Sequence, residues 1–247
     1  MRRGLAYAAM DRFVLRALRL HFRGVYLLET EPPDPSRPAI VFANHHYWWD
    51  AYLLHALARE WRPGQARVWM RELTSFPPFA ALGALPFPDG DAVVRAATIR
   101  RTVRELQTTP TLLFLFPEGE MHPAPNLLPF GRALCWLHTQ VPGVPLYPAA
   151  IRMAQGIHQR PEAQILLGQP LSLGYTNEIE WLDAARRNVA QLLEELERRW
   201  HKEPLSFRCI VKGRLSVDEH QCSGGRERGP KPSDHPSRRQ AGGSPKA

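Results

Sequence analysis

Residues Thr111 to Phe116 read TLLFLF and run directly into the polar turn Pro117-Glu118-Gly119-Glu120. An unbroken apolar run of this length, bounded by turn residues, predicts a buried strand rather than an edge strand with one wet face. A second such run, Ala39-Ile40-Val41-Phe42, is β-branched and aromatic and ends in the polar cluster Asn44-His45-His46. Asp50 follows, just before the helical pattern Ala51 to Leu57. Strands that stop in polar turns and feed helices belong to an open α/β sheet, and the carboxyl ends of such strands are where chemistry is usually placed.

Residues 5 to 22 predict a basic amphipathic helix, with Leu5, Ala9, Phe13, Leu18 and Phe22 on a broad apolar face and Arg12, Arg16, Arg19 and Arg23 beside it. That pattern suits a helix in a membrane interface and equally a helix docked on its own domain. Gly24 is expected to end it, with a first strand over Val25 to Thr30. Glu31 to Pro38 holds four prolines and must be a loop. Further strands are expected over Ala66–Met70, Val144–Ile151 and, last, Ile165–Leu167, and helices over Asp91–Gln107, Leu127–Thr139 and Glu178–Lys202. From Ser216 the chain is rich in Gly, Pro, Ser and Arg and predicts a disordered basic tail, 216–247. The expected organisation is an N-terminal helix (1–22), one α/β domain (23–215) with a mainly parallel central sheet flanked by helices, and the tail.

The formal net charge is +8, which suits an anionic partner. Nucleic acid is discounted, because many of the arginines lie on helices that need a polar face anyway. Three scattered cysteines, Cys135, Cys209 and Cys222, form no CxxC pair and indicate neither a disulfide framework nor a zinc site. No stretch is long and apolar enough to span a bilayer.

Three short motifs carry chemistry. In His45-x4-Asp50, an imidazole can take a proton from an alcohol while the carboxylate fixes its tautomer and stabilises the imidazolium. Phe116-Pro117-Glu118-Gly119 puts Glu118 beside either an acceptor hydroxyl or a loop amide. Val141 to Pro148 is a proline-rich strand entry. In this order the chain resembles the glycerolipid acyltransferase family, which includes the lysophosphatidic acid acyltransferases. Asn44-His45 to Asp50 matches the family's first motif, Gly83-Ala84-Leu85-Pro86-Phe87-Pro88-Asp89 its second, Phe116-Pro117-Glu118-Gly119-Glu120-Met121 its third and Val141 to Pro145 its fourth.

The resemblance implies a glycerol-phosphate acyltransferase-like fold and an enzyme. It would move a fatty acyl group from acyl-CoA or an acyl carrier protein to a hydroxyl of a lysolipid or lipid-like acceptor. It implies His45 as general base, Asp50 as its orienting group, and Glu118 and Gly119 at the substrate, with no cofactor and no metal; Arg71, Arg95 and Arg132, close in sequence to the motifs, can each bring a guanidinium to the substrate where the family's own arginines are missing. It also implies a cytoplasmic protein, peripheral on an anionic inner membrane face. A non-catalytic lipid- or acyl-carrier-binding protein of the same fold is the alternative; an intact His-x4-Asp speaks against it. His46, where the family often has Ser, is expected to matter less than His45. Two family arginines associated with the acceptor phosphate fall at Asp89 and Met121, so the resemblance implies an acceptor without a terminal phosphomonoester.

Overall fold

The computed structural model describes residues 2–29, 31–172 and 177–215. The expected tail 216–247, and Cys222 with it, lies outside the described residues. In chain order the elements are α1 (Arg2–His21), β1 (Gly24–Glu29), β2 (Ala39–Ala43), α2 (Asp50–Trp61), β3 (Ala66–Met70), β4 (Ala84–Pro86), α3 (Ala92–Thr108), β5 (Leu112–Leu115), α4 (Ala133–Gln140), β6 (Leu146–Ala154), β7 (Glu162–Leu167), α5 (Glu178–Lys202) and β8 (Arg208–Lys212). Short 3-10 segments cover Pro77–Leu82 and Pro204–Ser206.

The strands form one sheet in the order β4-β3-β5-β2-β6-β7-β1-β8. β1–β7, β2–β5, β2–β6, β3–β4 and β3–β5 pair in parallel, while β6–β7 and β1–β8 are antiparallel. The mainly parallel α/β sheet expected from the apolar runs is therefore present. Two adjacent interior strands, β2 and β5, bury every residue of AIVFA and LLFL. Because side chains alternate across a strand, the runs feed two cores. Val41, Phe114 and Ile151 face α1 and α2, meeting Leu18, Leu53 and Leu57. Ile40, Phe42, Leu113 and Leu115 face the other way, against Leu106 of α3, Leu134 and Leu137 of α4, and Trp181 and Val189 of α5. Each such buried side chain contributes about 1.5–3 kcal/mol.

Four expectations are corrected. Gly24 does not end α1: the helix stops at His21, and Gly24 opens β1, packed so closely on Tyr26 that a Cβ there would lie 2.8 Å from the ring. α4 begins at Ala133, not Leu127. Pro129 disfavours a helical Leu128, and the Gly131 amide is held by the Pro117 carbonyl at 2.7 Å. Ile165–Leu167 lies within a longer β7 that is not the last strand, since RCIVK after α5 forms β8 on β1. Five residues after a 25-residue helix gave no periodicity to read. Finally, α1 divides its apolar residues between two surroundings. Val14, Leu15, Leu18 and Phe22 are buried in the core, while Leu5 and Phe13 are exposed.

Gly83 ends the first 3-10 segment at φ +97°, and a Cβ there would stand 2.0 Å from the Ala66 carbonyl oxygen of β3. Gly64 has a similar φ of +80° but open space around it. Gly64→Ala should therefore cost about 1 kcal/mol, the backbone term alone. Gly83→Ala should cost on the order of 3 kcal/mol, because backbone must move as well. Urea denaturation of the two variants checks this, and equal costs would refute the close approach.

Candidate active site

β2 ends at Ala43, and Asn44 extends its pairing with a side chain instead of a backbone. The Asn44 Oδ1 accepts the Ile151 amide at 2.8 Å, and its Nδ2 donates to the Ile151 carbonyl at 2.9 Å. The amide thus copies a strand residue against β6, and the chain beyond it is free to turn across the sheet end. This fully buried brace is a task of Asn44 that the motif's residue order does not disclose.

His45 follows. Its Nδ1 lies 2.9 Å from the Asp50 Oδ2, as the spacing predicts. The same oxygen accepts the Tyr47 amide at 2.9 Å. A carboxylate only accepts, so the proton of neutral His45 sits on Nδ1 and Nε2 carries the lone pair. The imidazole stacks on Phe116, ring centres 4.1 Å apart at 16°. Asp50 occupies the first turn of α2, where the helix dipole favours a negative charge. Its side chain is wholly buried, and Oδ1 has no hydrogen-bond partner among the described residues. Burial pushes the Asp50 carboxyl above the usual carboxylate range, opposed by the bonds from His45 and Tyr47. A buried carboxylate with so few donors gains strongly from a positive charge forming on the adjacent imidazole.

Glu118 reaches this loop from the end of β5, the parallel neighbour of β2. Its Oε1 accepts the His45 amide at 2.7 Å, and its Oε2 accepts the Leu128 amide at 2.7 Å and meets His122 Nε2. His122 in turn donates its amide to the His45 carbonyl at 3.1 Å. The Glu118 side chain is fully buried. Of its two expected surroundings, hydroxyl or loop amide, the carboxylate has the second. Its bonds make it a brace of the His45 main chain.

His46, Glu118 and His122 bring ligand-type atoms within 4.8 Å of one another, a set able to reach one metal ion. The tautomer of His46 argues for a different use. Ile151 fixes the Asn44 amide, whose Nδ2 also lies 3.2 Å from His46 Nδ1. That nitrogen is therefore an acceptor, and Nε2 carries the hydrogen instead of a lone pair for a metal. Burial lowers the His46 pKa, with Glu118 pulling it the other way.

A cavity of about 850 Å³ opens beside His45. Trp48, Tyr52, Phe79, Leu82, Val68, Ile99, Phe114 and Phe116 give it a largely apolar wall. Gly119 lines it at φ +77°, its amide bonded to the Phe116 carbonyl at 3.1 Å. Arg71 and Arg132 line it too, but both are engaged. Arg71 Nη1 lies 2.9 Å from Asp89 Oδ2, and Arg132 Nη2 lies 2.9 Å from Glu178 Oε2. Met121, like Asp89 at the place of a family arginine, is also in the wall.

Residues 24–152 match the protein family described as Acyltransferase. A comparison with curated proteins gives no significant match. Among solved structures, the chain is similar to the crystal structure of the 1-acyl-sn-glycerophosphate (LPA) acyltransferase PlsC from Thermotoga maritima. The TM-score is 0.58 and the identity 22%, over 80% of this chain and 82% of that one. At that identity the likeness concerns the fold.

Two buried histidines, His46 and His55, and the half-buried His138 set a pH dependence of stability. Burial lowers the pKa of His46, His55 and His138 below the ordinary 6.5. Above about pH 6.5 both folded and unfolded chains keep these rings neutral, and their contribution is complete. As pH falls further, the unfolded chain takes up protons that the folded chain refuses, and stability is lost until the folded pKa values are passed. Asp50, shifted upward, acts in the opposite sense at lower pH. The urea midpoint should therefore fall between pH 7 and 5.5, and His138→Gln should reduce the slope. A midpoint independent of pH in that window would refute the assignment.

Proposed function

The chain belongs to the acyltransferase family, and from that premise we propose that it transfers a fatty acyl group from a thioester to a hydroxyl of a lysolipid or lipid-like acceptor. The observation that carries this reading is the 2.9 Å pair between His45 Nδ1 and a buried Asp50, on a residue lining a largely apolar cavity. The donor is acyl-CoA or an acyl carrier protein. His45 Nε2 removes the acceptor hydroxyl proton as the oxygen attacks the thioester carbonyl carbon. Asp50 holds the Nδ1 proton in place and stabilises the imidazolium. The carbon–sulfur bond then breaks, and His45 returns the proton to the departing thiolate, leaving an ester and a free thiol. The cavity reaches from His45 to Ala66, at the far end of β3, about 13 Å of strand, and its apolar wall suits the acyl chain.

The acceptor reading follows from charge. Asp89 and Glu120 line the cavity, and Arg71 is already bound to Asp89. A doubly charged phosphomonoester would meet an already paired Asp89 and the uncharged Met121 where two arginines would have served it, with the Glu120 carboxylate beside Met121. An acceptor with a larger or uncharged head group fits better.

No helix among the described residues is long and apolar enough to cross a membrane. Peripheral attachment to an anionic inner membrane face is supported by the outer side of α1, where Leu5 is 71% and Phe13 52% exposed beside exposed Arg12, Arg16 and Arg19. Trp48 and Phe76 are also exposed.

His45→Ala should lower acyl transfer by roughly 10²–10⁴-fold with the fold intact, and Asp50→Asn should lose much of the activity through the wrong tautomer. His46→Gln should cost less than His45→Ala. A folded, fully active His45→Ala protein would sink the mechanism. Removing all of α1 would confound a membrane assay, because its inner side belongs to the core. The cleaner variant is Leu5→Glu with Phe13→Glu, which should abolish salt-sensitive pelleting with anionic vesicles at unchanged urea midpoint. Unchanged pelleting would leave α1 as a structural dock alone.

A further inference from the structure

Four arginines line the cavity: Arg67, Arg71, Arg95 and Arg132. Three are committed to carboxylates. Arg67 Nε lies 2.7 Å from Glu105, Arg71 is held by Asp89, and Arg132 by Glu178. Among the described residues, no carboxylate stands within ion-pair distance of Arg95. It is nevertheless half-buried and held in place.

The restraint is aromatic. The Arg95 guanidinium carbon lies 6.0 Å from the centre of the Phe87 ring, and Phe87 stacks on Trp69 at 4.4 Å and 12°. This platform is itself pinned to α3. The Trp69 indole donates to Thr102 Oγ1 at 3.0 Å, and the Thr98 hydroxyl donates to the Pro86 carbonyl of β4 at 2.6 Å. Arg95 stands one turn before Thr98 on the same helix. An arginine on an aromatic face keeps its in-plane N–H groups free to grip an anion with two parallel bonds. A partly desolvated cation without a counter-charge in a substrate cavity is costly unless a ligand supplies one.

We propose that Arg95 is the anion-binding residue of the cavity, and that it takes a singly charged phosphodiester. One guanidinium balances one negative charge, and the Glu120 carboxylate lining the same cavity opposes a second. The inference rests on the acyl-transfer reading for its choice of ligands. Two substrates carry such a group: a lysophospholipid with a phosphodiester head group, and a carrier-bound donor through its phosphopantetheine arm.

The test compares Arg95→Gln and Arg95→Lys with the unaltered protein. Acceptors are lysophosphatidylglycerol and uncharged monoacylglycerol, each with a phosphate-free acyl-pantetheine and with an acyl carrier protein as donor. Arg95→Gln should lower the preference in kcat/KM for one phosphodiester-bearing substrate over its counterpart by about 10- to 100-fold, mainly through KM. Arg95→Lys should recover part of that loss. Loss of the preference for lysophosphatidylglycerol assigns Arg95 to the acceptor, and loss of the preference for the carrier assigns it to the donor. Equal effects on every substrate, or none, would overturn the proposal. Binding of lysophosphatidylglycerol, monoacylglycerol and a holo carrier protein to the His45→Ala protein, read by tryptophan fluorescence, separates this from the reaction itself. If Arg95→Gln selectively weakens a phosphodiester ligand there, Arg95 is the anion site even where no acyl transfer is found.

Discussion

A single buried carboxylate joins the two loops that make this site. Glu118 comes from the loop after β5, yet it accepts the main-chain amide of His45, from the loop after β2, and that of Leu128 further on. Charge-assisted bonds of this kind are short and strong, and leaving either side unpaired in a buried place is expensive. The loops can meet only because β2 and β5 are parallel neighbours whose carboxyl ends lie side by side. The sheet order supplies the meeting point, and Glu118 fixes its geometry.

Around that joint, each constraint on His45 comes from a different element. Asn44 bonds to β6, Asp50 comes with α2, and Phe116 comes with the end of β5. The imidazole is thereby held through its main chain, its Nδ1 and its ring face, leaving Nε2 for chemistry. Rigid preparation of this sort matters because a general base must meet its proton at hydrogen-bond distance.

The cavity wall combines two kinds of surface. Aromatic and aliphatic residues from α2, β3, α3 and the 3-10 segment after Phe76 suit a chain of methylene groups. The charged residues at the same cavity are mostly consumed by each other. Arg71 with Asp89 and Arg132 with Glu178 are exposed pairs, and such pairs contribute little to stability. Their consequence is for specificity: they withdraw two arginines from substrate and leave Arg95 as the cavity cation without a carboxylate partner among the described residues.

The sequence by itself determined the class of fold and the core of the site. Short unbroken apolar runs at Ala39–Phe42 and Thr111–Phe116, bounded by turn residues, point to buried strands, and the His45-to-Asp50 spacing is local enough for a strand–loop–helix turn to bring the two together. The tertiary structure decided what depends on distant partners. Leu127 to Arg132 scan as helix, but Pro129 and the bonds to Pro117 and Glu118 keep them outside α4. RCIVK becomes a strand only because β1 offers it an open edge. Whether Glu118 turned to substrate or to backbone was settled by the neighbouring loop, 73 residues away in sequence. Which arginine stays free was settled by where Asp89, Glu105 and Glu178 came to lie, and ion pairing across elements leaves no periodic trace along a chain.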